Sequence, residues 1–385
     1  MSWNITQFDS DPIDILWYGA NGVYEHGGNL YAVFRFVHTD TVHMRIKKST
    51  DGGITWTSFD YTTSQFMPMS QSYDPATGLI YIVGVLGAMS SYTRPVNLVA
   101  FDCATDTYSA PEDISAGRFA SFSGDIQVQA CPDGSVVVVM EGDTTAPTSL
   151  YNVFVMRKRA GVWSAPTAIY TTTVYSSYLY AIATDTSSNV YLIYDPLSTG
   201  AVKMVSYSAA NSASADVAVG SIDGYTSIDN ALVFGGDIFV STGNKVYRSS
   251  LSSPSFTLSF SPAITIGWWG TYTDIGLITD GTSLYAIYGI SGTYPTLTTD
   301  QLLISKYLGS DTWDTPSVLL DFLLNPPPGT LQPPVTYSSD ITRILSDGSF
   351  GVISLQSINV GGDTSFYYYH NVAAPATDPW LWVMT

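Results

Sequence analysis

The side chains able to do acid–base, ion-pairing or metal chemistry are few in kind and uneven in number. Of 32 acidic residues only Glu25, Glu112 and Glu141 are glutamates; the rest are aspartates. Against them stand 14 Lys and Arg, four His and two Cys. A carboxylate-pair hydrolase needs two acids about 5–9.5 Å apart. Asp125, Glu141, Asp195, Asp274 and Asp340 can be assigned that role from sequence, although turn and solvated acids are the commoner meaning of such residues. His38 and His43, with Asp40 between them, have a spacing open to a metal, but exposed loop histidines outnumber ligands. Acidic turns offer oxygen atoms to Ca²⁺, yet no spacing resembles an EF-hand, so no cofactor and no metal ligand set is assigned. No Ser-His-Asp, Walker or dinucleotide motif has a supporting strand–helix context. The aromatic run Gly267-Trp268-Trp269-Gly270-Thr271-Tyr272 stands apart. Trp268, Trp269 and Tyr272 are candidates to stack on sugar rings or anchor a partner protein, or else to pack between sheets.

Charge and composition narrow the classes. The formal net charge is −18, charged residues are 12% and apolar residues 45%, with 14% aromatic. That is ample core material, so global disorder is excluded. A polyanion-binding footprint is absent, which argues against nucleic acid and against an anionic membrane surface. The longest aliphatic run, Val136 to Met140, is far too short for a transmembrane helix. Asp favours turns and Glu favours helices, so the imbalance predicts a turn-rich, helix-poor chain. Cys103 and Cys131 are read as two free buried thiols in preference to one bridge. The N-terminus has neither a basic nor an apolar signal region, which predicts synthesis in a cytoplasm without ordinary export.

Among the elements that must hold such chemistry, a short apolar run preceded by a tight turn recurs seven times. The runs begin at Leu30, Ile80, Val136, Val190, Ile238, Leu284 and Phe350, with gaps of 50, 56, 54, 48, 46 and 66 residues. Gly, Asn and Asp before each run suit hairpin turns. Unit six reads as four strands, Asp274–Thr279, Ser283–Gly289, Gln301–Leu308 and Thr312–Leu320. Seven such units predict an all-β fold, a seven-bladed β-propeller of four-stranded antiparallel blades, with six or eight blades and a pair of β-sandwiches as alternatives. Unit five is compressed around Ser241-Thr242-Gly243-Asn244 and reads as degenerate. The last unit is given Ser339–Leu345, Ser349–Gln356, Ser365–Asn371 and Trp380–Met384, leaving Trp3–Phe8 as a rival outer strand. The Pro-rich stretch 323–334 reads as an insertion between blades of one domain, 1–385.

Ser49-Thr50-Asp51-Gly52-Gly53-Ile54-Thr55-Trp56 follows the pattern Ser-x-Asp-x-Gly-x-Thr-Trp. This resembles the Asp-box (BNR) propellers known from sialidases. Partial echoes occur at Cys103–Pro111, Arg159–Pro166 and Gly309–Pro316. The resemblance implies a structural turn between third and fourth strands, built on Ser49, Asp51, Gly53, Thr55 and Trp56. It also implies a test for catalysis, because sialidases clamp a carboxylate with three arginines, the first on strand one of blade one. Ile13-Asp14-Ile15-Leu16-Trp17 is taken as that strand here and has no arginine, and Arg35 lies one strand later. Arg45, Arg157, Arg159 and Arg248 fall on third strands or their turns, leaving Arg94, Arg118 and Arg343 to approach an axis. Glu25 and Glu112 read as loop residues.

The expectation is therefore a non-catalytic binding or assembly module with no assigned catalytic residue. In style, a Lys-poor, Ser/Thr/Tyr/Gly-rich all-β repeat resembles phage or archaeal-virus structural proteins. That places it in a virion, at tail, fibre or capsid surface, contacting other virion proteins or a host-surface glycan, with a homo-oligomer open. A sialidase-like or other propeller glycoside hydrolase acting on surface polysaccharide is the alternative.

Overall fold

Tight turns built on Asp and Gly return the chain on itself, and each return makes one antiparallel ladder. The computed structural model describes residues 3–9, 22–38, 41–61, 66–86, 95–116, 121–143, 151–172, 178–195, 201–221, 228–242, 245–262, 275–291, 300–321, 324, 342–357 and 364–371. They form seven antiparallel sheets. In chain order the first strands are Gly22–His26, Phe66–Asp74, Ser121–Ala130, Tyr178–Thr184, Ile228–Phe234, Gly276–Thr279 and Thr342–Ile344. Each pairs with a second strand: Asn29–His38, Leu79–Leu86, Val136–Asp143, Val190–Asp195, Asp237–Thr242, Leu284–Ser291 and Phe350–Ser357. All seven recurring runs of the sequence are these second strands. First strands of neighbouring sheets adjoin one another from sheet two through sheet seven, and sheet seven's adjoins sheet one's. The first strands therefore ring a common axis, and the fold is a β-propeller. No helix among the described residues is long and apolar enough to cross a membrane.

Sheet seven is closed by the N-terminal segment. Thr364–Asn371 pairs with Trp3–Asp9 in the outermost position, from Trp3 opposite Asn371 to Asp9 opposite Phe366. This settles the rivalry for that place in favour of the N-terminal strand, while 380–384 lies outside the described residues. Joining the first and last parts of the chain removes an open edge of the ring. Two further readings are corrected. Sheet five is complete, its strands Ile228–Phe234, Asp237–Thr242, Lys245–Ser250 and Thr257–Phe260 running in order; only its connection between second and third strands is short. The first strand of sheet one is Gly22–His26, which pairs with Asn29–His38 at the inner end of the strand order; 13–17 lies outside the described residues.

Side chains alternate from face to face of a strand, so both faces of a blade are apolar and the core lies between sheets. Between sheets one and two, Tyr31, Ile46, Phe66, Ile82 and Phe101 are buried together. Phe101 meets Tyr31, Phe59 and Tyr108 at centroid separations of 6.1, 5.7 and 4.9 Å, the tilted and edge-on contacts that aromatic rings prefer. Val83, Val128, Val138 and Met156 do the same between sheets two and three.

Fourth strands are interrupted for a reason that repeats. Ser109, Ser164, Ser214 and Asp314 each donate a backbone N–H to a third-strand carbonyl, of Ala100, Arg157, Ser206 and Lys306. Each then accepts that same residue's N–H on its side-chain oxygen, at 2.9, 3.1, 3.1 and 2.5 Å. A side chain thus replaces a ladder carbonyl and breaks the strand. Pro111, Pro166 and Pro316 follow two residues later, where an outer strand tolerates a residue without a donor. The partial Asp-box echoes of the sequence share this break.

Candidate functional site

The antiparallel order gives the ring two ends. One carries the tight turns between first and second and between third and fourth strands. The other carries the connections between second and third strands, two residues long in sheets one and five and longer in the rest, and those from sheet to sheet. At the turn end the chemistry is consumed locally. Ser49 ends the third strand of sheet one (Thr41–Ser49), and Thr57–Asp60 is the fourth, so the Asp-box sequence occupies the connection where it was expected. Asp51 accepts Ile54 N–H at 3.0 Å, Thr55 N–H at 2.8 Å and the Thr55 hydroxyl at 2.6 Å. Ser49 donates its hydroxyl to Asp51 at 2.8 Å and accepts Gly53 N–H at 2.8 Å. Trp56 donates its indole N–H to the Gly53 carbonyl at 3.0 Å. Gly52 and Gly53 have φ of 71° and 93°, a region closed to most side chains. Hydrogen bonds from Thr55, then Ser49, pull the Asp51 carboxyl down to about 2.

Other aspartates at this end behave alike. Asp133 accepts the Ser135 N–H at 3.0 Å and its hydroxyl at 2.6 Å. Asp280 takes Thr282 N–H at 2.8 Å and Ser283 N–H at 2.6 Å, and Asp347 takes Ser349 N–H at 2.8 Å. Burial works to raise the Asp133 carboxyl, but hydrogen bonds from Ser135 and Arg159 outweigh it and bring the group to about 2. These acids are ionised turn anchors.

The cations are likewise engaged in holding the fold. Arg248 forks onto Asp311 at 2.6 and 2.9 Å and reaches Asp237 at 2.8 Å, tying sheets five and six. Lys48 pairs with Asp106 at 2.7 Å across sheets one and two. Glu112 pairs with Lys158 and accepts the Trp163 indole N–H at 2.8 Å across sheets two and three. Arg157, 1% exposed, joins sheets three and four by donating to Ser135 Oγ at 2.7 Å and to the Ser188 carbonyl at 2.8 Å. Glu25 accepts Ser346 N–H at 2.7 Å, joining sheets one and seven. Glu25 and Glu112 therefore lie on strands (Gly22–His26 and Glu112–Asp113), not on loops, and both fasten neighbouring sheets. The four arginines expected on third strands or their turns are on third strands.

The remaining sequence candidates divide by position. Trp268, Trp269, Tyr272, Asp274, Asp340, Arg94 and Arg118 lie outside the described residues. His38 ends one strand and His43 sits in the next, opposite Phe36, so they belong to a hairpin rather than an irregular loop. Among the described residues, no group of three or more His, Cys, Asp or Glu could hold a metal ion. Cys103 and Cys131 are free and buried, and burial pushes the Cys103 thiol up to about 12. Asp195 ends the second strand of sheet four, opposite Tyr178. Asp125 and Glu141 come together in register. In sheet three Phe122 faces Gly142 and Ile126 faces Met140, so Ser123, Gly124 and Asp125 stand against the single residue Glu141. Glu141 is 7% exposed.

That bulge has counterparts which the sequence reading missed. In sheet two Pro68 faces Gly84 and Ser70 faces Val83, leaving Met69 extra. In sheet four Leu179 faces Tyr194 and Ala181 faces Ile193, leaving Tyr180 extra. In sheet five Ile228 faces Thr242 and Asn230 faces Ser241, leaving Asp229 extra. All lie on first strands, toward the loop end of the axis. Nearer the turn end, the edge amides of Val128 and Ala130 are met by the hydroxyls of Ser70 and Ser72 in the adjacent sheet, at 3.1 and 2.9 Å.

No protein-family model matches the chain, and no curated protein matches it. Solved structures do. An ulvan lyase of a polysaccharide lyase family is similar at a TM-score of 0.57 and 9% identity, over 94% of this chain and 93% of that chain. The phage phi92 endosialidase is similar at 0.51 and 10% identity, over 98% of this chain and 70% of that one. The extracellular domain of a one-component system from B. thetaiotaomicron is similar at 0.50 and 10% identity, over 94% of this chain and 40% of that one. At such identities the likeness shows the shared fold, the β-propeller.

Proposed function

We propose that this chain is a carbohydrate-binding β-propeller that engages a polysaccharide at the loop end of its axis. One observation carries the reading: the acids and cations described at the turn end are used by their own turns and by neighbouring sheets, whereas the bulged first strands lie toward the opposite end. β-Bulges re-aim side chains and concentrate near functional sites. The polysaccharide lyase chemistry named for the similar ulvan lyase supports the ligand class, and the likeness to an endosialidase accords with it. The finer reading is a non-catalytic module on a virion surface that contacts other virion proteins or host glycan. Its support is the Lys-poor all-β repeat and the likeness to a phage enzyme over 98% of this chain. A polysaccharide panel in affinity electrophoresis, run with assays for reducing-end release, tests both levels. Retardation without new reducing ends is expected. A second reading, a glycoside hydrolase, is favoured by the facing register of Asp125 and Glu141; turnover abolished by Asp125→Asn would establish it.

A further inference from the structure

One rung of the third strands carries basic residues in most of the sheets. The second residue of each recurring apolar run is Tyr31, Tyr81, Val137, Tyr191, Phe239, Tyr285 or Gly351. Opposite these on the third strands stand Lys48, Ala100, Arg157, Ser206, Arg248, Lys306 and His370. Lys48, Arg157 and Arg248 each reach the next sheet in chain order, at Asp106, the Ser188 carbonyl and Asp311. Lys306 stands over the Tyr285 ring at 5.8 Å. His370 differs from the other four in chemistry. An imidazole ordinarily titrates near about pH 6.5, whereas Lys and Arg stay charged well above neutrality.

The histidine belongs to the sheet that closes the ring. Sheet seven repeats a turn of sheet three, Asp347-Gly348-Ser349 for Asp133-Gly134-Ser135, and its third strand carries His370 where sheet three carries Arg157. Nε2 of His370 lies 2.9 Å from Ser349 Oγ, as a guanidinium nitrogen of Arg157 lies 2.7 Å from Ser135 Oγ. Tyr369 is buried on the sheet-six side, so strand alternation turns His370 toward sheet one. There the ring meets the Asp-box turn: a Cβ added to Gly52 would stand 3.6 Å from Cε1. The charged groups around it among the described residues are mostly acids. Asp347 lies in the turn of its own sheet, Asp51 adjoins Gly52, and Glu25 holds Ser346 beside Asp347. On the third strand of sheet one, Ile46 and Lys48 face sheet two, which leaves Arg45 and Lys47 toward sheet seven. Arg45 is forked onto Asp60. On the closing strand the residue opposite His370 is Asn4. Burial works to raise the Asp347 carboxyl, but hydrogen bonds from Ser349 and the His370 charge lower it. Asp51 is held at about 2 by the hydrogen bonds of its turn, so both carboxylates stay ionised through the range in which an imidazole gains its proton.

We infer that His370 is a proton-operated clasp on the ring closure: once protonated it completes the row of cations and draws sheets seven and one together, and on losing the proton it leaves its contact with Ser349 and the Asp-box turn uncharged. The sign follows from the neighbours. A cation at this place is attracted by Asp347, Asp51 and Glu25 and opposed, among the described residues, by Lys47, since Asp60 neutralises Arg45. Closure therefore tightens as pH falls through the imidazole range and loosens as pH rises through it. The effect concerns local opening of one seam and is independent of which ligand the axis takes.

Amide hydrogen exchange of the full chain tests this at Trp3–Asp9 and Thr364–Asn371, compared at about pH 5.5 and about pH 7.5 after correction for the intrinsic pH dependence of exchange. Protection of these strands should be about fivefold greater at the lower pH, the scale of one partly exposed ion pair. The seam between sheets three and four, held by Arg157, should show no such change. His370→Gln keeps a hydrogen-bonding side chain and should abolish the difference. His370→Arg, the residue of sheet three at this place, should keep the closure protected at both pH values. Both variants retain His26, His38 and His43, so a dependence that persists in them belongs to another group and would overturn the inference. Weaker protection of the parent at the lower pH would overturn it too, since Lys47 would then outweigh the acids. Denaturation midpoints identify a variant that does not fold. In that case the parent decides alone, by NMR titration of the His370 ring: the Gly52 amide signal should move with it, and a Gly52 signal that stays fixed would overturn the inference.

Discussion

Replacement of Arg157 tests how the blades are held together. Its guanidinium is 1% exposed and lies 4.0 Å from the carboxylate of Asp133, which Arg159 also engages. What holds it is neutral: Ser135 Oγ at 2.7 Å, the Ser188 carbonyl at 2.8 Å, the Ser208 carbonyl at a marginal 3.5 Å, and the Tyr207 ring 5.6 Å from Cζ. Ser188 has a φ of 63°, and its hydroxyl accepts Asp133 N–H at 2.9 Å, so the arginine clasps a turn that a serine does not adopt freely. Two good charge-assisted hydrogen bonds contribute about 1.5–3 kcal/mol each, and the ring contact about 1 kcal/mol. The cost of burying the cation, several kcal/mol, opposes them. Arg157→Ala removes both sides of this balance but leaves two acceptors buried without a donor, so a net loss of about 3 kcal/mol is expected. Arg157→Met keeps most of the volume and should still lose about 2 kcal/mol. Urea unfolding followed by tryptophan fluorescence gives the magnitude, and amide exchange at Ser188 to Val190 should accelerate first. If Arg157→Met were as stable as the parent or more so, desolvation would outweigh the clasp, and the seam between sheets three and four would be apolar in origin.

Three further outcomes follow from the same contacts. Asp51 and Asp133 are drawn down to about 2, and Asp185, Asp280 and Asp347 are also lowered, in each case because turn hydrogen bonds outweigh burial. A lowered folded pKa means the unfolded chain takes up protons first, so this contribution is complete above about pH 4 and is lost as pH falls toward 2. Melting temperatures should be level above pH 5 and fall steeply below 4; an unchanged melt at pH 2.5 would contradict the anchoring role. Deleting 1–9 should expose the edge of Thr364–Asn371, speed limited proteolysis and promote aggregation, and a peptide with the sequence of Trp3–Asp9 should restore protection. Gly78→Ala should cost about 2 kcal/mol by denaturant titration, because φ is 72° and an added Cβ would stand 2.5 Å from the His26 ring.

What could be read from sequence was whatever one strand and one turn determine between them. The second strands were legible because each follows a turn such as Asp133-Gly134-Ser135 or Asp280-Gly281-Thr282, where local chemistry fixes both the reversal and the start of the next strand. The Asp-box turn was legible for the same reason, since its hydrogen bonds all fall within Ser49–Trp56. Closure was not. Trp3–Asp9 and 380–384 both read as apolar strands, and only pairing across the whole chain distinguishes them. Glu25 and Glu112 were misread because their partners, Ser346 and Lys158, are remote in sequence and are brought near only by the ring. The bulges were hidden because a register shift is a property of two paired strands, and neither strand's own sequence states which residue of the partner it will face. Side chains that replace ladder carbonyls, Ser109, Ser164 and Asp314, did leave a signal in the Ser-Ala-Pro and Asp-Thr-Pro triplets, which resembled degraded Asp-boxes.

The charge of the chain has a structural explanation before it has a functional one. Asp outnumbers Glu because a short carboxylate reaches amides two to four residues ahead, as Asp51, Asp133, Asp280 and Asp347 do, whereas a longer side chain overshoots them. Lys and Arg are then needed in small number, on third strands, where they reach carboxylates or turn carbonyls of a neighbouring sheet; Lys48, Lys158, Arg157 and Arg248 are so used. Both populations can be assigned without any ligand. Asp125 and Asp229 differ from them in place: they sit on first strands, at ladder interruptions, on a stretch of the ring whose first strands supply no cation. A turn does not require an acid there, and no cation lies on those strands to require one. Position along the strand, and not the excess of acid as such, distinguishes these two aspartates from those that build the turns.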